Sequence, residues 1–124
     1  MTDPDPRPPV WVGHIRMTTD RLDASFDFMV KVGMRPLVKR DDFAVLELRA
    51  GTHLVLSGQD AIEPGEAPFD LMVEDLDATH AYLDGLGLEP SEISEGRIHR
   101  SFTVRDPCGH SVKFNSSHAS GQPV

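Results

Sequence analysis

The first half of the chain carries two different periods of apolar residues. Residues 10–17 are rich in strand-forming side chains and alternate in polarity from Val12 onward, which predicts a β-strand. Asp20 is then a candidate helix cap, and Gly33 is placed to end the helix. The apolar residues at helical spacing between them are Leu22, Phe26, Met29 and Val30. Three more strands are predicted, over residues 35–39, 43–49 and 53–57.

The second half repeats this order of elements. Residues 69–73 predict a strand, Asp75 a helix cap, and Gly87 the end of the helix. The apolar face of that helix consists of Leu76, Thr79, Leu83 and Leu86. Strands are then predicted over residues 92–99, 101–105 and 110–115, and a turn over residues 106–109 joins the last two.

The two helical segments also align with each other without a gap. Residues 21–36 match residues 75–90 at a constant offset of 54, with 5 identities in 16 positions. Amphipathic helices that end in glycine resemble one another, but here the flanking strands also fall in the same order. The pattern therefore predicts an α+β domain built from two copies of one strand–helix–strands unit.

Composition and charge narrow the class of protein. A chain of 124 residues with 39% hydrophobic and 26% charged residues fits one globular domain. The formal net charge of −8 repels nucleic acid and anionic membrane surfaces, so neither is an expected partner. A single cysteine, Cys108, excludes an internal disulfide and suits a reducing compartment. No apolar leader or membrane-length apolar run is present, so a cytoplasmic location is expected.

Both ends of the chain are expected to be flexible. Residues 1–9 contain four prolines and little that can pack, and residues 116–124 are similarly poor in core residues. The folded domain is predicted to span residues 10–115.

Three passages resemble the vicinal oxygen chelate superfamily, which includes glyoxalase I, extradiol dioxygenases, and fosfomycin and bleomycin resistance proteins. They are Gly-His-Ile-Arg-Met at residues 13–17, the 26–34 stretch with its Val-Gly-Met end, and residues 100–110 with their Asp-Pro-Cys-Gly turn. The resemblance implies two tandem βαβββ modules, at about residues 10–58 and 66–115, forming curled mixed sheets around a cleft. It also implies a homodimer, because a second chain often completes the cleft.

The resemblance further implies four metal-ligand positions on the first and last strands of the two modules. His14 matches the first of these positions. Val55, Pro68 and Lys113 fall on the other three, and none of them can ligate a divalent cation. A slip of two residues would replace Val55 by His53, which still gives only two ligands. No metal and no cofactor are therefore expected.

Strand alternation suggests which side chains line the cleft. The predicted ligand-binding residues are His14, Arg16, His53, Val55, Ser57, Phe102, Ser111 and Lys113. Fixed cations among them favour an anionic group on the ligand, although the net charge favours cationic ligands approaching from outside. The alternatives are a structural role for His14 and simple surface exposure for Arg16 and Lys113. Trp11 is expected to cover the core rather than to stack on a ligand.

The leading hypothesis is a metal-independent protein that binds an antibiotic or metabolite, similar to the bleomycin resistance branch. The alternatives are a metal-dependent lyase, isomerase or dioxygenase, and a metal-free enzyme that uses His14 as a base. A component of a larger assembly without a ligand is a third possibility. Cys108 has no adjacent base in sequence, which argues against a nucleophile. Solvated side chains are expected for the other histidines with no shared spacing: His80, His99, His110 and His118.

Overall fold

The computed structural model describes residues 4–118 and 120–124. The first module contains β1 (His14–Thr19), α1 (Leu22–Val32), β2 (Arg35–Lys39), β3 (Phe43–Glu47) and β4 (His53–Gly58). The second module contains β5 (Glu66–Val73), α2 (Leu76–Gly85), β6 (Ser94–Glu95), β7 (Arg100–Arg105) and β8 (Ser111–Ser116).

Each module forms one mixed sheet of four strands with the same connectivity. Sheet one has the order β1-β4-β3-β2, and sheet two has the order β5-β8-β7-β6. In both sheets the first strand of the module pairs in parallel with the last, and the other pairs are antiparallel. The predicted α+β fold with two βαβββ modules is confirmed.

The ends of the helices show which capping predictions hold. In α2, the Asp75 carboxylate accepts a hydrogen bond from the backbone N–H of Ala78 at 2.9 Å, as predicted for a cap. The prediction for Asp20 is wrong, because Arg21 occupies the N-cap position of α1. The hydroxyl of Thr19 instead accepts a hydrogen bond from the Arg21 N–H at 3.0 Å. Gly33, with a φ of 124°, ends α1 as predicted.

Some strand boundaries differ from the sequence prediction. β1 begins only at His14, and β5 begins earlier than predicted, at Glu66. The strand predicted over residues 92–99 is reduced to two residues in β6. The reason is a turn in which the N–H of Gly96 donates to the carbonyl of His99 at 3.0 Å, so the backbone folds back where the strand would have continued.

The core lies between each sheet and its own helix, and alternation along the strands supplies it. Fully or almost fully buried members include Met29, Leu46, Leu54, Leu56, Leu83, Phe102, Val104, Val112 and Phe114. The residues between them on the same strands point to the opposite side, which we call the open face of each sheet. Arg100 on β7 links sheet two to α2, since its guanidinium donates to both carboxylate oxygens of Asp77 at 2.7 and 3.2 Å. That hydrogen bonding lowers the pKa of Asp77.

The two modules are joined where β1 lies beside β5 and by a buried histidine. His110, 7% exposed, lies at the start of β8. Its Nε2 donates to the Thr18 carbonyl at 2.9 Å, and its Nδ1 accepts from the N–H of Gly65 at 3.3 Å. The prediction that His110 is solvated is therefore wrong.

In the described part of the chain, neither helix is long and apolar enough to cross a membrane.

Candidate functional site

A row of four polar side chains crosses the open face of sheet one. The strand register places His14 of β1 beside His53 of β4, His53 beside Glu47 of β3, and Glu47 beside Arg35 of β2. We call these four residues the polar row. Because each residue comes from a different strand, the backbone hydrogen bonds of the sheet fix their order and spacing.

Glu47 is the centre of the polar row. Its Oε1 lies 3.3 Å from the Arg35 guanidinium, and its Oε2 lies 3.1 Å from Nε2 of His53. A carboxylate only accepts hydrogen bonds, so a neutral His53 carries its proton on Nε2 and keeps a lone pair on Nδ1. The His14 ring stands edge-on to the His53 ring, with centroids 5.8 Å apart.

Sequence reasoning missed Glu47 and Arg35. Alternation along residues 43–47 could have placed Glu47 on the same face as Val45, but the partner strand and its register were needed to place it beside His53. His53, which was predicted as a site residue, lies within the polar row, but its hydrogen bond with Glu47 was not predicted.

Beyond the polar row, the open face of sheet one carries both apolar and polar side chains. Arg16 lies in register with Val55, and Val55 lies in register with Val45. Ser57 lies in register with Thr18 and Phe43. The five site residues predicted in the first module thus share one face, which the structure brings together: His14, Arg16, His53, Val55 and Ser57. His14 and Arg16 are exposed on it, while Val55 and Ser57 are half-buried.

Ser111 and Lys113 lie on the open face of sheet two, where they line a cavity of about 480 Å³. Lys113 is in register with Asp70 of β5 and with Thr103 of β7. The remaining lining residues are Glu66, Ala67 and Phe69. All the lining residues named here belong to the second module, so this cavity does not bring Lys113 together with His14.

Phe102 was also predicted to bind ligand, and the structure places it elsewhere. The side chain is 2% exposed and stacks on Phe114 in the core, with ring centroids 5.0 Å apart. Alternation along β7 directs Thr103, not Phe102, to the open face. Phe102 therefore supports the sheet from behind and is not available to a ligand in the cavity.

The turn before β8 is tightly organised around Cys108. The backbone N–H of Cys108 donates to the Asp106 carboxylate at 2.7 Å, and the N–H of Gly109 donates to the Asp106 carbonyl at 2.8 Å. Cys108 is 7% exposed, and burial raises the pKa of its thiol. Both effects disfavour a nucleophilic thiolate.

Trp11, predicted to cover the core, is instead 66% exposed.

The donor side chains of the described residues are not grouped as a metal site. Across residues 4–118 and 120–124, no three histidine, cysteine, aspartate or glutamate side chains are grouped so that they could hold an ion. His14 and His53 supply two imidazoles, one donor fewer than a zinc site of the usual kind takes from the protein. Glu47 is already engaged by Arg35. Val55, Pro68 and Lys113 stand where the resemblance placed the other ligands, and they offer no lone pair to a cation.

The two βαβββ modules, each with one four-stranded mixed sheet and one α-helix, define the fold class. The chain belongs to the Glyoxalase/Bleomycin resistance protein/Dioxygenase superfamily, whose family model matches residues 11–114. No curated protein matches the chain.

Solved structures share the fold over nearly the whole chain. A lactoylglutathione lyase from Agrobacterium tumefaciens is 20% identical with a TM-score of 0.77, covering 93% of this chain and 99% of its own. The oxidase ChaP-H2 is 20% identical with a TM-score of 0.72, covering 90% and 97%. The fosfomycin resistance protein FosX from Listeria monocytogenes is 14% identical with a TM-score of 0.72, covering 87% and 93%. At these identities the likeness shows the fold alone.

Proposed function

We propose that the protein binds a small molecule, an antibiotic or a metabolite, without a metal ion. The observation that carries the proposal is Lys113. This side chain stands where the resemblance places a metal ligand, yet it lines a cavity of about 480 Å³ beside Ser111 and Phe69. A cavity of this size, with an aromatic wall and a few polar groups, is typical of small-molecule sites.

Metal analysis tests the metal-independent part of the proposal. Protein purified without chelators is expected to hold well under about 0.1 divalent ion per chain, because two imidazoles without a third donor bind metal weakly. Inductively coupled plasma mass spectrometry gives the ion content. A content near one ion per chain that disappears in His14→Ala would contradict metal independence and favour a metal-dependent lyase, isomerase or dioxygenase.

A metal-free enzyme is the second candidate, and the Glu47–His53 hydrogen bond favours it. Because the Nε2 proton of His53 is directed to Glu47, Nδ1 of His53 is left to act as a base. When Nδ1 accepts a proton, the Glu47 carboxylate stabilises the resulting imidazolium. Arg35 lies 3.3 Å from the other oxygen of the same carboxylate and holds Glu47 beside His53. The structure thus offers His53 as a base next to His14, the residue that the sequence suggested.

If the protein is such an enzyme, His53→Gln is expected to lower kcat about 100-fold or more, because general base catalysis contributes at least that factor. Glu47→Gln should lower kcat less, since the base remains but loses its charged partner. The matched control is Glu74→Gln, which removes an exposed carboxylate paired with Arg49 at 3.1 Å. Saturable binding of the same compound without product, unchanged by His53→Gln, would contradict catalysis.

Three further features of the sequence prediction are part of the proposal. A homodimer is supported by the exposure of His14 and Arg16, because a second copy would complete the cleft over sheet one. Light scattering that gives a monomer at working concentration would argue against it. The lone cysteine supports a cytoplasmic location. Flexible ends at residues 1–9 and 116–124 remain predictions except at Ser116, which is the last residue of β8, and residues 1–3 and 119 lie outside the described residues.

A further inference from the structure

The charges in the cavity over sheet two do not match the anionic ligand expected from the sequence. The lining includes two carboxylates, Glu66 and Asp70, and one ammonium group, Lys113. Among the described residues, neither carboxylate is within ion-pairing distance of a cationic side chain. The lining of this cavity therefore carries a net negative charge and two acceptors without a cationic partner.

The backbone of β5 brings these carboxylates to the cavity. The pairing of β5 with β8 shifts between Glu66, opposite Ser111, and Asp70, opposite Lys113. Glu66 and Asp70 are four residues apart and both exposed, so alternation along β5 places both on the open face of sheet two. Phe69 borders the cavity and also packs against the core.

The net charge of the chain acts in the same direction. With a formal net charge of −8, the protein attracts cations from solution. The two carboxylates give such a cation a specific place to bind. Lys113 opposes a second positive charge only if the two stand close together. Although Lys113 lies in register with Asp70, the two side chains do not form an ion pair, so the Asp70 carboxylate stays available to a ligand.

We propose that this cavity binds a small molecule carrying a protonated amine, together with an oxygen acceptor elsewhere in the molecule. The ammonium group lies between Glu66 and Asp70, and Phe69 packs against the body of the ligand. The oxygen acceptor takes hydrogen bonds from Lys113 or from the hydroxyl of Thr103 or Ser111. This inference rests on the proposed small-molecule function and names the chemical class of its ligand.

Three compounds that share one aromatic body test the class: tyramine, 4-hydroxyphenylethanol and 4-hydroxyphenylacetate. They end in an ammonium, a hydroxyl and a carboxylate group, respectively. Binding is followed by calorimetry and by chemical-shift changes at cavity amides. Tyramine is expected to bind about tenfold more tightly than the neutral alcohol, and the carboxylate more weakly than either.

Two variants that each remove one charge test whether Glu66 and Asp70 cause the preference for the amine. Asp70→Asn and Glu66→Gln are each expected to weaken tyramine binding about fivefold while leaving the alcohol unchanged, because only the charge is removed. Glu74→Gln, which changes an exposed carboxylate outside the cavity lining, should leave both affinities unchanged. Circular dichroism confirms that each variant is folded.

The outcomes separate this inference from the proposed function. Equal affinity for all three compounds, or tightest binding of the carboxylate, overturns the amine class and leaves small-molecule binding intact. Tyramine binding that is unaffected by both cavity variants also overturns it. At about 10 mM, even a ligand with a binding free energy of only a few kcal/mol is detected. If none of the three compounds binds at that concentration, the proposal of an amine ligand is wrong. Small-molecule binding is then judged separately, from any compound that copurifies with the protein.

Discussion

Replacement of Phe114 by alanine is expected to lower the free energy of unfolding by about 4 kcal/mol, the largest effect of any change considered for this protein. Phe114 is 1% exposed and lies in register with Leu71 on one side and Phe102 on the other. Its ring stacks on that of Phe102 with an interplanar angle of 10°. Truncation removes this contact and leaves a cavity under β8, the strand that carries Ser111 and Lys113.

Urea unfolding followed by circular dichroism measures this loss. Ile98→Ala is the matched control, because Ile98 is 77% exposed and its truncation should change stability by less than about 0.5 kcal/mol. A loss below about 2 kcal/mol for Phe114→Ala would mean that the core collapses around the cavity or that this ring is less well packed than the structure shows.

Replacement of His110 by alanine is expected to cost about 2–3 kcal/mol, because it removes two hydrogen bonds and leaves their partners unpaired. Those partners belong to different segments, the Thr18 carbonyl in β1 and the Gly65 N–H just before β5. The variant should therefore also loosen the junction of the two modules. Hydrogen exchange at the Gly65 amide is expected to become faster.

Two further variants separate the hydrogen bonds of His110 from its packing. His110→Phe keeps a ring in the site but makes neither hydrogen bond, so it should recover only the packing part of the loss. His118→Ala removes an exposed histidine and should have little effect. Wild-type stability in His110→Phe would show that the two hydrogen bonds contribute nothing to the native state.

Much of the fold could be predicted from the sequence because the signals are local. The cap at Asp75 and the glycine at the end of α1 are determined by neighbouring residues, and both are found as expected. The predicted helix faces hold only in part, because Val30 and Leu86 are exposed and α2 ends at Gly85 rather than at Gly87. The internal repeat also predicted that both modules share one topology. Asp20 failed as a cap because α1 begins one residue later than predicted, with Arg21 at the N-cap and no side-chain hydrogen bond to the first turn.

The candidate site was harder to predict because it depends on which strands are neighbours. Alternation placed His14, Arg16, His53, Val55 and Ser57 correctly on one face. It could not show that Glu47 stands between His53 and Arg35, since that follows from register across three strands. Glu66 was missed because the strand was predicted to begin at residue 69, and the position of Glu66 and Asp70 beside Ser111 and Lys113 follows from the pairing of β5 with β8.

The position of Cys108 makes the junction between the modules observable without engineering. Its buried thiol, with a raised pKa, should be alkylated far more slowly than a free cysteine when the turn at residues 106–109 is closed. The same turn leads directly to His110. The alkylation rate of this native thiol therefore reports how often the turn opens. A ligand that binds over sheet two and keeps the turn closed is expected to slow the alkylation of Cys108.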